Sequence, residues 1–244
     1  MEYIIIVLIM LIILLILAIV YDYNLKKLKQ FAELEEKKYN KLIEKYPSNI
    51  DVCRHILKKL NNKYVKIEED KNQKTCLYIA VTNKIIIADV KDSYTRVQTI
   101  CHECLHSIQS KKILLFNFIY SNFYLLYFFS IALLGILGKV PNKNLFFSLM
   151  IFFSYIFYFI RSYLENDAMI KANFLAKEYM EEIKISTKDE TNEIVNSYSK
   201  LNNLGIKMTN YKLFVETMLK TIVICIIFSI RWSTKFYITL HTLY

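Results

Sequence analysis

The residues His102-Glu103-Cys104-Leu105-His106, near the middle of the chain, have the types and spacing of a zinc-binding helix. If this stretch is helical, the two histidines lie one turn apart on one face, and one metal ion can contact both rings. Glu103 is then placed to take a proton from a water molecule on that metal. The pattern predicts a catalytic site with one zinc ion, two histidine ligands and Glu103 as the general base.

Apolar residues around this motif recur at helical spacing and indicate which side of the helix is buried. The two histidines fall off this apolar stripe, beside Thr99 and Gln109, so one side can pack in a core while the ligands face a cleft. Lys91-Asp92-Ser93 precede the helix and can cap its N-terminus. The predicted stripe consists of Val97, Ile100, Cys101, Cys104, Leu105 and Ile108.

The five cysteines are odd in number and irregular in spacing, which favours reduced thiols facing a cytoplasm over a disulfide framework. Cys101-x-x-Cys104 overlaps the histidine motif and could be interpreted as a redox or metal-binding pair. Both cysteines lie on the apolar stripe, however, and a thioredoxin-type site would need a preceding strand and an exposed first cysteine. We therefore expect these two residues to be small apolar packing groups.

Two histidines do not complete a catalytic zinc site, because three protein ligands and one water are expected. The remaining histidines are His55 and His241, and His241 lies in a tail that we place across a membrane. A carboxylate is the expected third ligand. Glu165 is the best candidate, since a membrane hairpin between the motif and Glu165 would return the chain to the same membrane surface. The competing interpretation is an ion pair of Glu165 with Arg161 or a lysine.

The residues that follow Glu165 support its placement beside the ligand helix. Ala168, Ala172 and Ala176 are spaced by four and form a narrow helix face that allows close packing. Asp167 is predicted to orient a ligand histidine from behind the metal site.

The composition is that of a membrane protein. Hydrophobic residues make up 55% of the chain and come in blocks, and only 3 Gly and 2 Pro interrupt them. The formal net charge is +10. The lysines flank apolar runs, which favours a lipid bilayer over nucleic acid as their partner, and no nucleic-acid-binding motif is present. The apolar runs cover residues 3–20, 113–137, 145–160 and 221–230.

The connections between these runs indicate their arrangement. Gly and Pro within 138–144 predict a tight turn that joins the second and third runs into a membrane hairpin. The fourth run follows Glu216 and Lys220, which are spaced for an ion pair. We expect this run to span the bilayer, although an amphipathic segment lying flat on the membrane is the alternative.

The expected fold is a mainly α-helical membrane protein with about four transmembrane helices and a small α+β, zincin-like cytoplasmic part that contains a short β-hairpin. Lysines and arginines follow the first and third runs and precede the second, so the positive-inside rule places the polar segments in the cytoplasm. We expect a multi-pass cell-membrane protein with its site on the cytoplasmic face. The predicted segments are an anchor (1–21), a soluble segment with the histidine motif (22–112), a transmembrane hairpin (113–160), a helical segment with the third ligand (161–211) and a C-terminal apolar helix with a tail (212–244).

Short elements are predicted within the first soluble segment. Residues 25–46 and 52–60 have helical patterns, with a break at Pro47 and an end at Asn61-Asn62. Two β-rich runs, Leu77–Val81 and Ile85–Ala88, are joined by a three-residue turn and predict a hairpin. The edge Leu77–Val81 is where a substrate backbone could add as an extra strand.

The order of these features resembles the bacterial membrane neutral zinc metallopeptidases of the YugP-like group. The resemblance rests on an N-terminal anchor, a strand pair, two spans, a last apolar run and the matching residues His102, Glu103, His106, Gln109, Glu165, Ala168 and Ala172. The HtpX-like membrane peptidases are a second similar group, but they would have Asp where this chain has Met169. The resemblance implies a gluzincin-like, membrane-bound peptidase in which Gln109 supports the site.

The predicted function is zinc-dependent hydrolysis of a peptide or membrane-protein substrate near the membrane surface. Tyr163 and Tyr198 are conceivable oxyanion donors, and the sequence does not choose between them. A catalytically inactive, zinc-bearing scaffold that binds other membrane proteins is the main alternative. An intramembrane protease is disfavoured, because the motif helix carries polar residues before the second run begins, namely Asp92, Arg96, Gln98 and Gln109. A structural membrane protein with a chance motif is the third rival. The oligomeric state is not indicated.

Overall fold

The structure is a computed structural model that describes residues 2–21, 23–73, 75–90 and 93–241, with side chains up to residue 230. These residues form seven helices and three strands and are mainly helical, as predicted. The elements are α1 (Glu2–Val20), α2 (Leu25–Ile43), α3 (Asn49–Lys59), β1 (Lys66–Glu69), β2 (Leu77–Ile79), β3 (Lys84–Ile87), α4 (Arg96–His106), α5 (Lys111–Ile136), α6 (Lys143–Ile183) and α7 (Lys188–His241).

The chain divides into two compact units, and the long helices α6 and α7 contribute residues to both. The apolar helical unit consists of Met1–Tyr23, Phe116–Ser162 and Met208–Tyr244. The mixed unit consists of Asn24–Leu115 and Tyr163–Lys207, and it contains all three strands.

The apolar helical unit contains the predicted membrane runs. Among the described residues, four helices are long and apolar enough to cross a bilayer, and they begin at Glu2, Lys111, Lys143 and Lys188. The predicted ion pair is present, because Lys220 Nζ lies 2.7 Å from Glu216 Oε1. The unit has its own core, in which Tyr124 OH lies 2.8 Å from Ser154 Oγ.

The turn between α5 and α6 follows from Gly138. This residue has a φ of 68°, in the left-handed region that glycine adopts without steric cost. The Gly138 amide donates to Gly135 O at 3.0 Å and the Lys139 amide donates to Leu134 O at 2.9 Å. These two bonds form a Schellman motif that satisfies the last carbonyls of α5. The predicted tight turn is confirmed.

The mixed unit is built around a three-stranded sheet in the order β1-β3-β2. The predicted hairpin is confirmed, since β2 and β3 pair antiparallel with Tyr78 opposite Ile85. Strand β1, with the sequence Lys-Ile-Glu-Glu, was not predicted and pairs parallel to β3. Its exposed charged residues give no apolar alternation, which is why the sequence pattern does not reveal it. Strand β2 is consequently one free edge of the sheet.

Helices α3 and α4 pack against each other and against this sheet. Helix α3 begins after Ser48, whose Oγ accepts the Asp51 amide at 3.2 Å. Its end matches the prediction, because Asn61 has a left-handed φ of 54°. The core shared by these elements includes Val52, Ile56, Ile85, Ile87, Val97, Ile100, Cys101 and Cys104.

Two details of α4 differ from the prediction. The helix ends at His106, so Ile108 lies in the following turn and is 46% exposed, whereas the other five stripe residues are buried. The N-cap residue is Thr95, which makes no side-chain capping bond. Of the predicted capping segment, Lys91 and Asp92 lie outside the described residues, and Ser93 Oγ bonds to Thr95, whose amide is 3.4 Å away and whose Oγ1 is 2.9 Å away.

A buried arginine ties α4 to the end of α2. Arg96 is 1% exposed, and its guanidinium donates to Ile43 O and Tyr46 O at 2.8 Å and to Pro47 O at 3.0 Å. A fourth bond joins it to Asn49 Oδ1 at 3.0 Å. Because the last carbonyls of a helix have no partner within the helix, Arg96 completes the C-terminus of α2 and fixes where α4 starts.

Candidate metal centre

The three predicted ligands come together within the mixed unit. Helix α4 carries His102 and His106, and α6 carries Glu165. The two histidine Nε2 atoms are 3.0 Å apart. Glu165 Oε2 lies 3.5 Å from Nε2 of His102 and 3.7 Å from Nε2 of His106. All three side chains are partly buried, so the group lies near the surface of the mixed unit and not in its core.

These separations fit a small divalent ion. The circle through three atoms at these distances has a radius of about 2.0 Å, and zinc binds imidazole nitrogen and carboxylate oxygen at about 2.0–2.2 Å. His102, His106 and Glu165 could therefore hold one metal ion and leave a fourth position open.

Small residues allow α6 to lie close to the ligand helix. Ala168, Ala172 and Ala176 are 0–1% exposed and belong to the same core cluster as Cys101 and Cys104 of α4. The narrow alanine face that the spacing predicts is therefore buried in this core. Larger side chains at these positions would push Glu165 away from the histidines.

Gln109 determines which nitrogen of His106 carries the proton. Its Nε2 donates to Leu164 O at 2.8 Å and to Asp167 Oδ2 at 3.2 Å, so the amide orientation is fixed by two acceptors. Its Oε1 must then accept from His106 Nδ1, which is 2.9 Å away. The Nε2 lone pair of His106 is left directed at the ligand cluster.

Asp167 affects the orientation of His106 indirectly, because it accepts a hydrogen bond from Gln109. Its carboxylate also lies 2.5 Å from Lys171 Nζ. Burial opposes the charge of Asp167, but Lys171 and Gln109 outweigh it and hold the pKa of this carboxyl below its ordinary value. Asp167 therefore stays ionised and fixes the donor side of Gln109.

Glu103 lies on α4 between the histidines in sequence and is only 7% exposed. Its Oε2 accepts the backbone amide of Tyr78 at 2.7 Å. Burial raises the pKa of Glu103, and the repulsion from Glu165 adds to this, although the two histidines and the Tyr78 amide oppose it. A buried carboxyl with a raised pKa is suited to accept and return a proton.

Two opposing effects act on the pKa of His106. Burial disfavours its charged form, but hydrogen bonding and charge interaction with Glu165 outweigh burial, and Gln109 contributes in the same direction. The pKa of His106 is consequently raised above its ordinary value of 6.5. In the metal-free protein, protons therefore bind readily to this site.

The proposed oxyanion donors are not supported. Tyr198 is fully buried, and its hydroxyl donates to Tyr94 O at 2.6 Å, which makes it part of the core. Tyr163 is 54% exposed. It lies two residues before Glu165, which places the two side chains on nearly opposite sides of α6. The Tyr198 hydroxyl is therefore engaged in the core, and Tyr163 is poorly placed to act as an oxyanion donor.

His55 and the five cysteines are not members of the ligand group. His55 Nε2 is 3.1 Å from Glu182 Oε1, in an ion-pair cluster with Lys59 between α3 and α6. The side chain of His241 lies outside the described residues. The five cysteines are free and buried, and Cys104 Sγ is 3.6 Å from Cys53 Sγ. Burial raises the pKa of both Cys101 and Cys104 well above the ordinary value.

Comparison of the chain with protein-family models, with curated proteins and with solved structures gives no significant match. The interpretation of the site therefore rests on its own geometry.

Proposed function

We propose that this chain is a membrane-bound, zinc-dependent peptidase that hydrolyses peptide bonds of a peptide or membrane-protein substrate near the membrane surface. The observation that carries the proposal is the triangle of His102 Nε2, His106 Nε2 and Glu165 Oε2, with the buried carboxyl of Glu103 on the same helix turn. Two imidazoles, one carboxylate and an adjacent glutamate form the donor set of a hydrolytic zinc site.

The zinc ion would supply a Lewis acid for the scissile carbonyl and would lower the pKa of its bound water to about 7. Glu103 takes one proton as the oxygen–carbon bond forms and gives it to the leaving nitrogen as the carbon–nitrogen bond breaks. Its buried position keeps bulk water from competing for that proton. His102, His106 and Glu165 are only partly buried, which supports access of a substrate to this group.

The cellular setting belongs to the same proposal. Four helices with the length and composition of spans support a multi-pass protein of the cell membrane. Lys26, Lys27 and Lys29 after the first run and Lys111 and Lys112 before the second support a site at the cytoplasmic face. The zincin-like character of the mixed unit is supported by the order of sheet, ligand helix and carboxylate-bearing helix.

The experiment is metal analysis and peptide cleavage by the purified full-length protein and two variants. The wild type should contain one zinc ion per chain and cleave an unstructured peptide substrate. Glu103→Gln should keep the metal and lose at least about 100-fold in kcat, because only proton transfer is removed. His102→Ala should lose the metal and the activity together. A Glu103→Gln variant with unchanged cleavage would defeat the peptidase mechanism, and a metal-bearing wild type without cleavage would favour the scaffold alternative.

A further inference from the structure

Strand β2 presents one backbone amide to the general base. Among the residues that the structure describes, the order β1-β3-β2 leaves the outer side of β2 without a partner strand. In the register of this pair, Tyr78 lies opposite Ile85. Backbone groups of successive strand residues point to alternate sides, and the Tyr78 amide is donated to Glu103, so this amide points out of the sheet.

The Glu103–Tyr78 contact has the geometry of a strong hydrogen bond. The nitrogen–oxygen distance is 2.7 Å, at the short end of the range for an amide and a carboxylate. Because Glu103 is only 7% exposed, water cannot easily replace the Tyr78 amide as its partner, and loss of this hydrogen bond is costly. One oxygen of Glu103 is occupied by the amide, and the other remains for the proton that is transferred.

The strand that carries this amide is held at its end by a second set of bonds. The Tyr78 hydroxyl donates to Asn83 Oδ1 at 2.9 Å, and Asn83 Nδ2 donates to Tyr64 O at 3.1 Å. Asn83 itself has a left-handed φ of 49° and forms the turn of the hairpin. The position of the Tyr78 amide is therefore fixed by the sheet and by the turn.

We propose that the backbone amide of Tyr78 is a positioning group for Glu103, which holds the carboxylate in the orientation needed for proton transfer. This inference rests on the proposed function, and the Tyr78 amide lies outside the motif His102–His106. A carboxylate without this bond has a free rotation about its last torsion and loses alignment with the reacting atoms. Because the Tyr78 amide donates to Glu103, it is not available to bind substrate. It therefore affects the rate of the chemical step and not the affinity for substrate.

The first test does not depend on activity. Amide hydrogen exchange at Tyr78 is measured in the full-length protein and in Glu103→Ala, with the Ile79 amide as an internal control. An outward amide of an edge strand exchanges quickly unless it has an acceptor, so removal of the Glu103 carboxylate should speed exchange at Tyr78 about tenfold and leave Ile79 unchanged. Equal exchange at Tyr78 in both proteins would overturn the inference, whatever the function of the protein.

The second test removes the amide and keeps the side chain. The α-hydroxy acid analogue of tyrosine is introduced at position 78, which replaces the N–H by oxygen. We expect kcat to fall about tenfold while KM and the zinc content stay at the wild-type values. Tyr78→Phe is the matched control, because it loses the phenol bond to Asn83 and keeps the amide. A rise in KM with unchanged kcat would show instead that the amide binds substrate.

A double-substitution cycle shows whether the amide acts through Glu103. Glu103→Asp keeps a carboxylate but withdraws it by one methylene, out of reach of the Tyr78 amide. In that background the hydroxy-acid substitution should have no further effect on the residual kcat. Independent, multiplying losses would overturn the positioning role. If exchange at Tyr78 responds as expected but the wild type cleaves nothing, the contact stands and the peptidase proposal fails.

Discussion

Gln109 selects the ligand nitrogen of His106 by accepting from its Nδ1 at 2.9 Å. The same amide donates to Leu164 O and Asp167 on α6, the helix that carries Glu165. The Gln109 side chain therefore fixes the tautomer of His106 on α4. It also ties His106 to α6, the helix that carries the third ligand. The two halves of the site, 59 residues apart between His106 and Glu165 in sequence, are joined by Gln109 even without an ion.

Replacement of Gln109 by alanine should weaken zinc binding about 10- to 100-fold, because His106 loses the bond that keeps its Nε2 unprotonated. The measurement is the zinc dissociation constant by competition with a chromophoric chelator. Gln73→Ala is a matched control, since the side chain of Gln73 is exposed and far from α4 in sequence. An unchanged dissociation constant for Gln109→Ala would show that the tautomer of His106 is fixed in another way.

Glu165→Ala should lose zinc at micromolar free metal, because two imidazoles alone do not make a stable catalytic site. Glu181→Ala on the same helix is the control, since Glu181 is exposed and pairs with Lys177. Zinc content is measured by elemental analysis after gel filtration. If occupancy survives in Glu165→Ala, the third ligand is a different group and the geometry proposed for the site is wrong.

Zinc affinity should depend on pH through His106. The pKa of this residue in the metal-free protein lies above 6.5. Protonated imidazole cannot bind metal, so the affinity is fully present above that pKa and falls as pH drops through it. Dissociation constants measured from about pH 8 down to about pH 5 should rise over this interval. Gln109→Ala should shift the onset of the rise to lower pH, because Gln109 contributes to the raised pKa.

Arg96 should be important for stability and not for the reaction. Arg96 is 1% exposed, and its guanidinium serves four acceptors between the end of α2 and the start of α3. Arg96→Met removes this shared donor from Tyr46 O, Pro47 O and Asn49 Oδ1, and leaves Ile43 O only the Tyr46 amide, so it should lower the free energy of unfolding by about 3 kcal/mol. Arg54→Met, at an exposed site on α3, should change it by less than about 0.5 kcal/mol. Denaturant unfolding of the detergent-solubilised protein, followed by circular dichroism, measures both.

The parts of the structure that follow from local residue patterns could be predicted from the sequence. The apolar runs, the Gly138 turn and the stripe on α4 depend on composition and on helical spacing, which are visible in one chain. Glu165 could be chosen because a predicted hairpin of two apolar helices restricts where the chain returns. His102 and His106 needed only the spacing of one helix turn.

The remaining features depend on contacts that residue types do not encode. The amide of Tyr78 is a backbone group, and any residue at this position would have provided it, except proline. Strand β1 is formed by charged residues that pair with β3, so tertiary contact and not propensity decides it. The burial of Tyr198 follows from the packing of α7 against Tyr94, which lies 104 residues earlier in the sequence.

The thiols of α4 should be inert in the folded protein, which would exclude a redox or metal role for Cys101 and Cys104. Both side chains are fully buried, and burial raises the pKa of each thiol, so the reactive thiolate is scarce. Iodoacetamide at about pH 8 should label these cysteines only after denaturation, as mapped by mass spectrometry. Cys101→Ala should retain zinc and activity and should lower stability by about 1 kcal/mol, because it removes one buried sulfur atom. Rapid labelling of native Cys101, or loss of zinc from Cys101→Ala, would instead place this thiol in the chemistry of the site.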